Sequence, residues 1–208
     1  MTRLAEILRR LQEDLGKHQA QWALVGGLAV SARAEPRFTR DVDVAVVAAD
    51  DRSAESLVFS LQRSGYRVLA VVEQTHTGRI ATARLIPPKE EASGIVVNLL
   101  LASSGIEPEM VRAAEILELL EGLEVPVCAT AHLLVAKLLS RDNDSRPQDS
   151  LDISALSNTM TPTDWQEARR AATLIEKRRF NRGRDLIDLL NALMRSQTKT
   201  DQAKNEAE

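Results

Sequence analysis

Residues 21–47 read QWALVGGLAVSARAEPRFTRDVDVAVV, and this stretch limits the folds open to the chain more than any other. Gln21–Val25 is a short apolar run that reads as a strand, and it ends on the pair Gly26–Gly27. LAVSARA follows with a helical pattern. Glu35-Pro36 turns the chain into Arg37-Phe38-Thr39-Arg40, and Asp41-Val42-Asp43-Val44 opens a second β-branched run. The order is therefore strand, glycine pair, helix, and a strand that carries Asp-x-Asp.

Side chains two apart on a strand share a face, so Asp41 and Asp43 project together. Aspartate is depleted in strands, and two like charges on one face raise each other's pKa unless a cation neutralises them. Paired carboxylates suit Mg²⁺, which binds through one or two of them together with substrate phosphates. Gly26 and Gly27 lack a Cβ, so their amides can approach a phosphate closely, and the N-terminus of the following helix favours that anion. A phosphate cradle beside metal carboxylates reads as phosphoryl or nucleotidyl transfer. Alone, an Asp-x-Asp is commonly a solvated edge strand, and a Gly-Gly is commonly a tight turn. Their combination between two strands favours function.

Gly26-Gly27, thirteen residues, then Asp41-x-Asp43 resembles the signature of the polymerase-β-like nucleotidyltransferases. Arg37-x-Thr39-x-Asp41-x-Asp43 narrows the resemblance to the AbiEii/AbiGii type of bacterial toxin nucleotidyltransferases. Gly78-Arg79-Ile80-Ala81-Thr82 and Val97-Asn98-Leu99-Leu100 extend it. So do Lys137 and the stretch Arg146-Pro147-Gln148-Asp149 with Asp152, so that it spans roughly residues 20–157.

The resemblance implies an α/β (α+β) nucleotidyltransferase fold: a small mixed sheet flanked by helices, then a helical C-terminal subdomain. It implies an NTP substrate and Mg²⁺, in a two-metal site, with Asp41 and Asp43 as ligands. Gly26, Gly27, Arg37 and Thr39 would bind the nucleotide. Lys137 would contact the triphosphate, and Asp149, with Asp152 as a weaker candidate, would support it. The plain alternative for that last group is a surface salt bridge among Lys137, Arg146 and the two acids. The acceptor implied is an RNA hydroxyl, such as a tRNA 3′ end, or a protein hydroxyl, and the partner implied is a cognate antitoxin.

Asn98 stands where such proteins carry a third carboxylate, which ligates metal and accepts the proton of the attacking hydroxyl. Asparagine is nearly isosteric with aspartate but neutral, and its amide nitrogen donates. Reduced activity, substitution by another group and an introduced inactivating change all remain open.

The rest of the chain is expected to frame this site. Leu4, Ile7, Leu8, Leu11 and Leu15 predict an amphipathic helix from Thr2 to about Lys17. Ser53 is expected to cap a helix reaching Ser64, with Gly65 as its stop. Strands are expected at Tyr66–Val72, Arg79–Ile86 and Ile95–Leu101, and His76 is read as a residue of an exposed turn. A short helix begins at Glu107-Pro108. Ile116–Leu120 and Leu123–Val127 form a hairpin in which Pro126 marks an edge strand. Ala129–Ser140, with Thr130 a candidate cap, predicts a helix that buries Cys128 and His132 as core residues, since two ligands are too few for zinc.

A further helix begins near Pro147, another runs from Thr163 to Arg179, and a last one covers Asp185–Met194. The expected division is a core over 1–128, a helical subdomain over 129–195 and an unstructured tail over 196–208, the halves closing a cleft with Asp41 and Asp43 on one wall and Lys137 on the other.

Bulk properties exclude several alternatives. Aromatic residues make up only 3% of the chain, which argues against a base-stacking single-strand binder. A net charge of −3 gives no global nucleic-acid signal, so RNA contact falls to local patches such as Lys177–Arg184. That run reads equally as a helix-end cluster complementing the dipole. The single cysteine, Cys128, fits a reducing compartment, and no apolar run suits a signal peptide or a membrane span. The expectation is a soluble cytoplasmic enzyme. The alternative is a catalytically inactive NTP- or partner-binding protein on the same fold. The sequence leaves the oligomeric state open.

Overall fold

A computed structural model describes residues 2–75, 77–91, 94–141 and 147–205, the side chains of 147 and 198–205 excepted. His76 and Arg146 lie outside the described residues. The described chain divides into two compact units, Met1–Ala129 and Thr130–Glu208.

The first unit is built on a mixed sheet of β1 (Trp22–Val25), β2 (Val42–Val46), β3 (Arg67–Glu73), β4 (Ile80–Ile86), β5 (Val97–Leu100), β6 (Glu115–Leu120) and β7 (Leu123–Val127). Their order across the sheet is β3-β4-β5-β2-β1-β7-β6. β2 is the hinge of the topology: it runs antiparallel to β1 and parallel to β5. Val42, Val44, Ala45 and Val46 have no exposed surface. Each buried valine contributes about 1.5–3 kcal/mol, ample to hold a half-buried Asp43 in the strand between them.

Alternation on β2, β4 and β5 separates two sheet faces. Val42, Val44, Ala81, Ala83, Leu85, Val97 and Leu99 are buried on one. Asp43, Ile80, Thr82, Arg84, Asn98 and Leu100 are half-exposed on the other. The polar face is the one that carries the expected site.

Helices of this unit are α1 (Arg3–Lys17), α2 (Gly26–Arg33), α3 (Asp51–Arg63) and α4 (Glu107–Arg112). In α1, Thr2 accepts from the Ala5 amide as the N-cap, and Ile7, Leu8, Leu11 and Leu15 are buried as the spacing predicts. The cap of α3 is Asp50, not Ser53. Asp50 accepts from the Ser53 amide and Ser53 reciprocates to the Asp50 backbone, so the serine is the inner member of a capping box. Hydrogen bonds to it from the Ser53 amide and, next, from the Ser53 side chain hold the Asp50 carboxyl below the usual carboxylate range.

The hairpin β6–β7 forms as expected, but β7 is internal and β6 is the edge. Pro126 is tolerated because β7 meets β1 only at its end, where Leu24 pairs with Val127 and the Cys128 amide donates to the Leu24 carbonyl at 2.9 Å. The strand is an edge over its proline and becomes internal after it.

The second unit contains α5 (Thr130–Ser140), α6 (Pro147–Ser157), α7 (Pro162–Lys177) and α8 (Leu186–Asn205). Thr161 and Asp164 form a capping box at α7 with Pro162 in the first turn. α7 stops at Lys177, two residues before the expected end. α8 runs to Asn205 rather than stopping at Met194, taking in most of the polar stretch read as unstructured. Cys128 and His132 are both buried, as expected of core residues. Burial pushes the Cys128 thiol up to about 12.

Candidate functional site

The turn from β1 into α2 is the centre of the polar face. Gly26 has φ +64°, a left-handed conformation that favours glycine. Its missing Cβ leaves the space taken by the Asp43 carboxylate, which a β-carbon would strike. Gly27 is bare for a related reason: a β-carbon there would lie 2.7 Å from Arg37 Nη2 and 2.9 Å from Thr39 Oγ1. The two glycines thus allow a carboxylate, a guanidinium and a hydroxyl to close on one turn of backbone. Ser31, one helical turn on from Gly27, fixes the return loop. Its Oγ donates to the Gly27 carbonyl at 3.0 Å and accepts from the Arg37 amide at 3.2 Å.

Register builds the other half. Val25 lies opposite Asp43, Asp43 opposite Asn98, and Asn98 opposite Arg84, so one row crosses β1, β2, β5 and β4. Asn98 Nδ2 donates to Asp43 Oδ1 at 2.7 Å, and Arg84 Nε donates to Asn98 Oδ1 at 3.1 Å. A guanidinium on one side and a carboxylate on the other fix the amide: its oxygen must face Arg84 and its nitrogen Asp43. The row is a neutral relay between opposite charges. Aspartate at 98 would instead set two carboxylates side by side, an arrangement that asks for a cation.

Asp41 precedes β2 and is half-buried. With Asp43, two residues on, it would supply two hard oxygen donors to one Mg²⁺-class ion completed by phosphate oxygens. The described residues contain no group of three or more His, Cys, Asp or Glu able to hold a metal ion. The donor set therefore does not fit a cage of protein acids, and the two-metal expectation would draw its further ligands from substrate.

In the second unit, α5 and α6 bring Lys137, Asp149 and Asp152 together. Lys137 Nζ lies 2.7 Å from Asp149 Oδ1 and 2.8 Å from Asp152 Oδ2. Ser140 Oγ donates to the second oxygen of Asp149 at 3.1 Å. Side-chain exposure is 14% for Lys137, 6% for Asp149 and 1% for Asp152, so the cluster is an internal ion triad rather than a surface bridge. His132 Nε2 lies 3.8 Å from Glu167 in the same unit.

Arg84 and Ser31 escaped the sequence reading. Arg84 carries no motif, and only the register that sets β4 beside β5 connects it to Asn98. Ser31 had a signal in retrospect, a hydroxyl four residues after Gly27 on a helix.

A family model described as "Nucleotidyl transferase AbiEii toxin, Type IV TA system" matches residues 7–207. The chain belongs to the AbiEii nucleotidyl transferase toxin family. An antigenic nucleotidyltransferase-like protein from Paracoccidioides brasiliensis shares the fold at 20% identity and a TM-score of 0.53, covering 92% of each chain. The nucleotidyltransferase toxin MenT4 of Mycobacterium tuberculosis H37Rv aligns at 19% identity and a TM-score of 0.44, over 80% of this chain and 62% of its own. Lincosamide antibiotic adenylyltransferase LnuA in its lincomycin-bound form aligns at 13% identity and 0.49, over 77% of this chain and 99% of its own. No curated protein matched the sequence. This AbiEii-family chain is thus a nucleotidyltransferase by family and by fold. Among its described residues no helix is long and apolar enough to cross a membrane.

Proposed function

We propose that this AbiEii-family chain transfers a nucleoside monophosphate from an NTP to an RNA hydroxyl, a tRNA 3′ end being the first acceptor to test, and that a cognate antitoxin restrains it. The observation that carries the reading is the closure of Asp43, Arg37 and Thr39 around the bare backbone of Gly26 and Gly27. In the reaction the acceptor oxygen bonds to the α-phosphorus, the α–β phosphoanhydride breaks and pyrophosphate leaves. Asp41 and Asp43 are assigned to a Mg²⁺ ion, which when bound would neutralise charge developing on the phosphates. The backbone of Gly26 and Gly27 and the N-terminus of α2 are assigned to the triphosphate. The Arg37 guanidinium adds charge there and Thr39 holds the loop. Lys137 is assigned to phosphate as well, with Asp149 and Asp152 orienting its ammonium. Asn98 has no basic atom, so the hydroxyl proton leaves by another group or by water.

A second reading rests on a specific observation. The Asn98 amide donates to Asp43 at 2.7 Å, so the position of the third acid spends a carboxylate lone pair instead of adding one. On that reading the protein binds NTP without turnover.

The two are separated by offering labelled NTPs, Mg²⁺ and bulk bacterial tRNA to the protein, to Asn98→Asp and to Asp41→Ala. Labelling by the unaltered protein, lost in Asp41→Ala, supports the enzyme. Labelling only by Asn98→Asp identifies a silenced third acid, and binding without labelling by either leaves the binding protein standing.

A further inference from the structure

The segment that leads into β2 alternates in exposure. Arg37, Thr39 and Asp41 are half-buried, whereas Phe38 and Arg40 are exposed. The half-buried members belong to the site described above: a β-carbon on Gly27 would meet Arg37 and Thr39, and Asp41 directly precedes β2. Successive side chains of an extended segment take opposite sides. Phe38 and Arg40 therefore leave the backbone on the side away from Gly27.

Phe38 is 80% exposed, more than any other large apolar side chain among the described residues, while Trp22, Tyr66 and Phe180 are buried. An exposed apolar residue needs no explanation by itself. Phe38 differs through its place and its neighbours. It sits between two residues that close on the Gly27 backbone, and the Arg40 guanidinium stands 5.8 Å from its ring centroid, within cation–π range. Its backbone is anchored on both sides of the Arg37 residue. The Arg37 amide donates to Ser31 Oγ at 3.2 Å, and Arg37 Nη1 donates to the Phe38 carbonyl at 3.2 Å. A fixed backbone thus holds a ring in water, with a cation over it and most of its surface open. Such a pair suits a flat partner that carries negative charge beside it, which describes a nucleobase and its phosphate. An acidic peptide would engage the guanidinium but leave the ring unused.

We propose that Phe38 and Arg40 form a shelf for one unpaired base of the acceptor RNA, the ring stacking on the base and the guanidinium taking an adjoining phosphate. The proposal rests on the RNA acceptor of the transfer reading above. The donor nucleotide is assigned to the other side of the segment, where Arg37 and Thr39 meet Gly27, so the shelf serves the acceptor. The scarcity of aromatic residues, 3% of the chain, argues against a run of stacked bases, but one ring is enough to hold one base.

Fluorescence anisotropy on the full chain tests this, with a labelled single-stranded oligoribonucleotide and an abasic strand of the same length, beside calorimetric titration with NTP and Mg²⁺. Phe38→Ala should weaken binding of the oligoribonucleotide about tenfold and leave the abasic strand unaffected, since only the first has a base to stack. Phe38→Trp should keep the affinity. Arg40→Gln should weaken both strands and lower the salt slope by about one. NTP affinity and thermal unfolding should be the same in Phe38→Ala as in the unaltered protein, because the ring lies in solvent and away from the donor side. RNA binding indifferent to Phe38→Ala overturns the shelf and leaves the transfer reading standing. An equal loss on the abasic strand, or a loss that falls on NTP instead, overturns it too. Failure of the unaltered protein to bind RNA at all overturns both the shelf and the RNA acceptor.

Discussion

Two pairs of aspartates in this protein meet opposite fates. Asp41 and Asp43 are two apart at the head of a strand, half-buried, and Asp43 accepts from the neutral amide of Asn98. Asp149 and Asp152 are three apart on a helix, buried, and both close on one ammonium. In the helix the negative charge is answered within the fold. At the strand Asp43 accepts from the Asn98 amide, whose oxygen in turn accepts from Arg84, on a face that is half-exposed. Buried acids closed on an ammonium hold structure, whereas a half-exposed carboxylate packed against bare glycine backbone is the one proposed to take a cation beside phosphates. The difference follows from register and burial, not from residue type.

The sharpest way to break the comparison is to remove one acid from each pair. Asp43→Ala should lower nucleotide transfer by about a hundredfold or more, while the lost Asn98 hydrogen bond on a half-exposed face costs only about 1 kcal/mol of stability. Asp152→Ala should weigh on stability instead. It removes one of three members of a buried ion cluster and one of the two carboxylates on the Lys137 ammonium, at a cost of about 1.5–3 kcal/mol, which for a chain of this size lowers the melting temperature by roughly 3–12 °C. Calorimetry beside a transfer assay checks both. Equal thermal losses in the two variants would erase the distinction.

Next in size is Gly26→Ala. A left-handed residue with a side chain costs about 1–3 kcal/mol, and its β-carbon would displace the Asp43 carboxylate. Activity should fall further than stability. Gly27→Ala meets the far end of the Arg37 side chain, which can move, and the Thr39 hydroxyl, which must shift by a smaller amount, so it should cost less stability than Gly26→Ala and raise KM for NTP about tenfold.

The second unit bears on the comparison through Lys137→Met. That variant leaves Asp149 and Asp152 buried without their ammonium, so unfolding should shift by a few kcal/mol, more than in Asp152→Ala, where Asp149 still pairs. A loss of NTP affinity in the presence of an intact fold would add support for Lys137 as a phosphate ligand.

The smallest effect is on the alkaline side. Burial pushes the Cys128 thiol up to about 12 and raises the Tyr66 phenol. For each, the folded pKa lies above the unfolded value, so the fold favours the protonated form. That contribution is complete below about pH 8.5 for the thiol and fades as pH climbs through 12. Thermal scans should show a melting temperature flat across neutral pH and declining above about 9. Cys128 should resist iodoacetamide at neutral pH until the protein unfolds.

Much of this was legible in the residues. The strand–glycine–helix–strand order needed only periodicity and two glycines, and the apolar stripe of α1 fell where its spacing put it. Gly26, Gly27, Arg37, Thr39 and Asp43 could be grouped from sequence because they lie within one supersecondary unit. Arg84 could not, because its link to Asn98 depends on which strand lies beside β5. Pro126 misled for the same reason: proline excludes a central position only where the strand is paired on both sides, and β7 is paired to β1 only past its proline. The reach of α8 was missed because SQTKTDQAKNEAE has no apolar stripe, so no periodicity signals a helix there.

The central claim is that the Asp43 face, with its two glycines, holds the metal–nucleotide. Calorimetric titration of the protein and of Asp43→Ala with each of the four NTPs in Mg²⁺ tests it most directly. Stoichiometric binding of at least one NTP is expected, weakened about tenfold or more in Asp43→Ala and reduced likewise when Mg²⁺ is removed. Equal affinity in the two proteins would contradict the assignment and move the nucleotide away from this face.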